Sequence, residues 1–151
     1  MEKILFKFMR AKYNEAVKTG KVRGQLAEYI RYGDWLLEIN FSTEEIRVLT
    51  PTRNIVHSIE LFEAVLDAIL TGDTTYINKL VSAVKIANNR WVKIRGAEGD
   101  IKITDAYFRA DGTIGVWVQV YNKENERGYR RRIATICYDN FINTLERAGA
   151  L

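Results

Sequence analysis

Two alternating runs, Ile101–Arg109 and Thr113–Tyr121, meet at Ala110-Asp111-Gly112-Thr113 and constrain the fold more than any other part of the chain. Asp-Gly tolerates the positive φ angles of a type I′ turn, so the pair predicts a tight antiparallel hairpin. A two-residue turn sets Ala110 opposite Thr113, Phe108 opposite Gly115, Ala106 opposite Trp117, Thr104 opposite Gln119 and Lys102 opposite Tyr121. Side chains alternate across a strand. One face then shows Phe108, Trp117, Tyr121, Lys102 and Gln119; the other shows Ile101, Ile103, Val116, Val118 and Val120. The aliphatic face belongs in a core. The mixed face suits stacking of bases beside cations that hold phosphates. Alternatively it is ordinary strand composition, covered by the N-terminal helices.

The remaining periodicities predict an α+β fold in one domain over residues 1–151, with about six strands and five helices. Helical spacing covers residues 2–18, closed by Gly20, and Gln25–Tyr32, carrying Leu26, Tyr29 and Ile30. Trp35, Leu37, Ile39 and Phe41 alternate with polar residues and predict a strand. A polar turn, Ser42–Glu45, leads into Ile46–Leu49, and Pro51 ends that hairpin. Ser58 is placed to cap a helix over Ile59–Leu70, with Gly72 at its C′ position. Asp73 or Thr74 caps a further helix through Ala87. Trp91–Arg95 and Tyr129–Ile136 read as strands, and Tyr138–Ala148 as a closing helix. In that helix Asp139 is the expected cap, and Phe141, Ile142 and Leu145 face inward. Helices segregated from antiparallel hairpins mark the α+β class.

Charge is unevenly distributed. Residues 1–75 carry ten Lys/Arg and eleven Asp/Glu; residues 76–151 carry thirteen and eight. Lys79, Lys85, Arg90, Lys93 and Arg95 occur without an acid between Tyr76 and Ala97. Arg127, Arg130, Arg131 and Arg132 form a second cluster. Clustered cations attract phosphate backbones and release their counterions. In a strand Arg130 and Arg132 point one way and Arg131 the other, and guanidinium groups match phosphate bidentately. The competing reading is an edge strand charged against sheet-to-sheet association.

Val116-Trp-Val-Gln-Val-Tyr121, a polar loop, Tyr129-Arg-Arg-Arg-Ile133 and Tyr138-Asp-Asn-Phe-Ile-Asn-Thr-Leu145 follow one another. This pattern resembles the end of the ββββα unit of single-stranded-DNA-binding transcriptional coactivators and plant Whirly proteins. There a valine-rich strand precedes a basic start to the last strand, and a helix bearing a bulky aromatic closes the unit. Arg130–Arg132 match the basic element and Phe141 the aromatic. The similarity spans residues 90–151; the lysine-glycine-lysine element of the Whirly proteins is absent. In size, basic charge and α+β content the chain is also similar to the ThermoDBP-type single-stranded-DNA-binding proteins of hyperthermophilic archaea. Either resemblance implies binding of single-stranded DNA.

Other chemistry finds less support. His57 is the sole histidine and reads as a surface or capping residue. Cys137, the sole cysteine, reads as a small buried hydrophobe and argues for a reducing compartment. One His and one Cys do not make a common zinc site. Asp100 and Asp105 flank a strand start, where a nuclease would hold magnesium, but no further nuclease residues accompany them. An apolar run of about 20 residues, as a membrane span requires, is missing. The expectation is therefore a non-enzymatic cytoplasmic protein without metal or cofactor. Its site would comprise Lys93, Arg95, Lys102, Phe108, Trp117, Tyr121, Arg130, Arg131 and Arg132. Its partner would be single-stranded nucleic acid, and it would form a homo-oligomer. The alternative is a homodimeric assembly module that binds no nucleic acid.

Overall fold

The computed structural model describes residues 3–18, 29–40, 42–96, 99–121 and 129–151. Within these the chain is α+β, with four helices and eight strands in two antiparallel four-stranded sheets. The first sheet follows α1 (Lys3–Lys18) and is built from β1 (Tyr29–Tyr32), β2 (Trp35–Asn40), β3 (Glu45–Leu49) and β4 (Ile55–Val56). Helices α2 (Ile59–Thr71) and α3 (Thr75–Asn89) come next. The second sheet contains β5 (Val92–Gly96), β6 (Gly99–Phe108), β7 (Ile114–Tyr121) and β8 (Tyr129–Ile136), and α4 (Tyr138–Arg147) closes the chain. The described residues divide into two compact units. One runs to Asn78 and takes in Ala110–Gly112; the other holds Lys79–Arg109 and Thr113–Leu151. The division falls inside α3.

In the first unit the expected alternation of β2 is present: Trp35, Leu37 and Ile39 are buried. Phe41 lies outside the described residues. Glu38 and Arg47 face each other across β2 and β3, and the Arg47 Nε donates to the carboxylate at 2.7 Å. The helix expected over Gln25–Tyr32 is a correction: residues 29–32 form β1, and 25–28 lie outside the described residues. Gly33, at φ +59°, sits in a two-residue connection that pairs Tyr32 with Trp35. Such hairpins need a positive φ, which glycine adopts without strain. Beyond Pro51 the chain turns back and adds β4 to the edge of β3.

Ser58 caps α2 as expected, its hydroxyl accepting from the Leu61 amide at 3.3 Å, and Gly72 ends the helix at φ +77°. Leu61, Phe62, Val65, Leu66 and Ile69 make its buried stripe. Phe62 stacks on Tyr13 of α1, ring centroids 6.3 Å apart. Lys12 lies 3.0 Å from both Glu63 and Asp67. Ahead of α3, hydrogen bonds from the Thr75 hydroxyl and amide hold the Asp73 carboxyl below its usual range.

In the second unit Ile103, Ala106, Phe108, Ile114, Val116 and Val118 are buried, as are Phe141, Ile142 and Leu145 of α4. The inward set of α4 is as expected, but its cap is not. Cys137 holds the N-cap position without a side-chain hydrogen bond, and Asp139 stands in the first turn. There a negative charge favours the positive end of the helix dipole. Cys137 is exposed, not the buried hydrophobe expected. Among the described residues no helix is long and apolar enough to cross a membrane.

Candidate nucleic-acid interface

The second sheet differs from its expected register at two points. The hairpin tip holds three residues, Ala110, Asp111 and Gly112, because the Arg109 amide donates to the Thr113 carbonyl at 2.8 Å and Phe108 pairs with Ile114. Gly112, at φ +86°, supplies the left-handed residue that ends a three-residue loop. This one-residue shift corrects the placement of Phe108. A one-residue slip exchanges the two faces of a strand. Phe108 therefore joins the core: it is 3% exposed and meets Tyr138 edge-on at 6.0 Å. It is not available to stack a base. Tyr107 and Asp105 take the outward positions instead.

A β-bulge then restores the alternation. The register of β6 shifts between Ile103 and Asp105, leaving Thr104 as the extra residue. Its hydroxyl lies 3.3 Å from both the Trp117 carbonyl and Asp105 Oδ2. Below the bulge Ile103 turns inward and Lys102 turns outward. Cross-strand partners share a face. Lys93 pairs with Lys102, Lys102 with Gln119, and Gln119 with Arg131. These four form one row across all four strands.

The neighbouring row is Asp105, Trp117 and Ile133. Lys93, Arg131 and Ile133 are exposed, and Lys102, Trp117 and Gln119 are half-buried. The Arg131 guanidinium lies 4.7 Å from the centre of the Trp117 ring and 3.2 Å from Asp105 Oδ2. Lys102 Nζ is 5.3 Å from the ring centre of Trp91, which precedes β5 and is 61% exposed. Tyr107 lies across Gly115. A Cβ at Gly115 would come within 2.7 Å of the Tyr107 hydroxyl, so the absent side chain makes room for the ring.

The structure thus brings Lys93, Lys102, Trp117 and Arg131 onto one face. Arg132, expected in the site, pairs with Val118 and belongs to the face opposite Arg131, so it does not join this set. The side chains of Arg95, Tyr121 and Arg130 lie outside the described residues, as do residues 122–128 with Arg127. Trp91, Asp105 and Tyr107 are additions to the expected set. A signal for the change of face is present in the sequence: the apolar positions run Ile101, Ile103, then Ala106, Phe108, changing parity midway.

Asn88, in the last turn of α3, stabilises the stretch beyond the bulge. Strand β5 pairs with β6 only as far as Ile103, so the outer edge of Ala106 has no strand neighbour among the described residues. The Asn88 amide fills that place, donating to the Ala106 carbonyl at 2.6 Å and accepting from its amide at 2.9 Å. An Asn88→Ala variant is expected to lose about 1–3 kcal/mol, two hydrogen bonds near their usual net worth. Urea denaturation measures the loss; unchanged stability would mean that water replaces the clamp at no cost.

His57 is an exposed residue, and its Nδ1 donates to the Ile46 carbonyl at 3.2 Å. No group of three or more His, Cys, Asp or Glu side chains suited to a metal ion occurs among the described residues. No protein-family model, curated protein or solved structure matches the chain.

Proposed function

We propose that the outward face of the second sheet binds single-stranded nucleic acid, DNA being favoured. The observation that supports this reading is the row Lys93, Lys102, Gln119, Arg131 beside Trp117. Like charges directly opposite on neighbouring strands destabilise a sheet, and Lys93 faces Lys102. Two cations so placed attract an anionic ligand. The ion pair of Arg131 with Asp105 is exposed on both sides and worth at most about 1 kcal/mol, so a phosphate displaces the carboxylate readily. Trp117, with Tyr107 beside it, offers rings on which bases stack whatever their identity. The sheet β5–β8 followed by α4 also has the strand-and-helix order of the coactivator and Whirly units that residues 90–151 resemble.

A titration of labelled single-stranded DNA, single-stranded RNA and duplex, at several salt concentrations, tests the reading. Binding should quench tryptophan fluorescence and weaken with salt. If Lys93, Lys102 and Arg131 each neutralise one phosphate, the logarithmic slope is about −2. Absence of binding at low salt sinks the proposal. It would favour the second reading, a homodimer, for which Ile133, 49% exposed on end strand β8, is the supporting feature. Light scattering of the purified protein then decides that alternative.

A further inference from the structure

Beside the bulge lies a cavity of about 280 Å³, whose lining includes Asn89, Trp91, Thr104, Asp105, Gln119 and Arg131. We infer that the cavity is a subsite for a single nucleobase and that it selects guanine; this inference rests on the nucleic-acid reading above.

The selectivity comes from which polar atoms are already committed. Asp105 Oδ2 accepts from Arg131 at 3.2 Å and from Thr104 at 3.3 Å. Oδ1 has no partner among the described residues, nor do the side-chain amides of Asn89 and Gln119. A carboxylate oxygen accepts two hydrogen bonds and cannot donate; a primary amide donates two and accepts. The cavity therefore presents a bare acceptor next to unused donors. Guanine carries the complementary edge, with adjacent N1–H and N2–H donors followed by the O6 acceptor. Oδ1 takes the two donors, and an Asn89 or Gln119 amide donates to O6. The exposed Trp91 ring at the rim covers one face of the base. Thymine and uracil set carbonyl oxygens on both sides of a single N–H, so one carbonyl meets the carboxylate lone pairs. A site that presents an acceptor disfavours a ligand that sets an acceptor against it, because two lone pairs then face each other where a hydrogen bond could form. The bulge is what creates the site: without the extra residue, Asp105 and Lys102 would not both face outward.

The test uses the full chain and a short labelled oligothymidylate, alone or with one central thymine replaced by guanine, adenine, cytosine or hypoxanthine. Affinities are read by fluorescence anisotropy. The guanine strand should bind about tenfold tighter than the thymine strand, the discrimination of a good bidentate base contact. Hypoxanthine, lacking the amino group, should fall between them. Asp105→Asn should bring the guanine and thymine strands level. Reading the ratio removes any common gain from releasing Arg131. Equal binding of the two strands by the native protein overturns the subsite, as does an adenine strand that binds tightest or an Asp105→Asn variant that keeps the preference. Failure of every strand to bind overturns the nucleic-acid reading itself, so the two failures are told apart.

Discussion

A Phe108→Ala variant is expected to lose about 3–5 kcal/mol of unfolding free energy, the usual cost of truncating a buried phenylalanine. The ring is 3% exposed and packs edge-on against Tyr138, itself fully buried. Truncation removes apolar burial and leaves a cavity between the sheet and α4. The same residue placed outward would change stability by no more than about 0.5 kcal/mol, as exposed substitutions do. Urea unfolding followed by circular dichroism separates these cases by a wide margin. A stable variant with weakened nucleic-acid affinity would show that Phe108 faces outward after all, and the three-residue turn would then be wrong.

The second large effect concerns affinity. Trp117→Ala should weaken single-strand binding by about 1–3 kcal/mol, or roughly 5- to 150-fold, the cost of removing one stacked base partner. Two contributions act at this position. On the proposed reading the ring stacks a base, and its face also seats the Arg131 guanidinium at 4.7 Å. Trp117→Phe keeps a ring in place and should retain most of the affinity. A Trp117→Ala variant that binds as well as the native protein, with unchanged stability, rules out stacking on this face. Arg132, on the opposite face of the same sheet, serves as the comparison: Arg132→Ala should change affinity little.

What could be read from the sequence depended on how local its cause was. Ser58 and Gly72 marked the two ends of α2 because capping is decided within a few residues. The alternation of β2 and the inward set of α4 were legible for the same reason. The strand at Tyr29–Tyr32 was not. Leu26, Tyr29 and Ile30 imitate helical spacing, and four residues are too few to display a period of two against it. The turn after Tyr32 was the better guide, since Gly-Asp between short runs is itself a hairpin signal. In the candidate site, Lys102 and Trp117 kept their expected orientation although the register had shifted twice. The turn moved β6 by one residue and the bulge moved it by one more, so below Thr104 Lys102 faces Gln119 instead of Tyr121, while a shift of two restores the face. Phe108 lies between turn and bulge and felt only the first. Asn88 was invisible in advance because its contact joins residues eighteen positions apart.

The point at which the two units divide has a practical consequence for anyone dissecting the chain. A cut between Asn78 and Lys79 would split the 15-residue α3 into stubs of four and eleven residues. Neither reaches the roughly 12–15 residues at which an isolated helix begins to hold in water. Each fragment would begin or end in unravelled backbone, with amides and carbonyls released from their own turns. Ala110–Gly112 would also leave the neighbours with which they cluster. Fragments made at this seam would report on the wound and not on the unit, and cleavage ahead of Thr75 is the gentler incision.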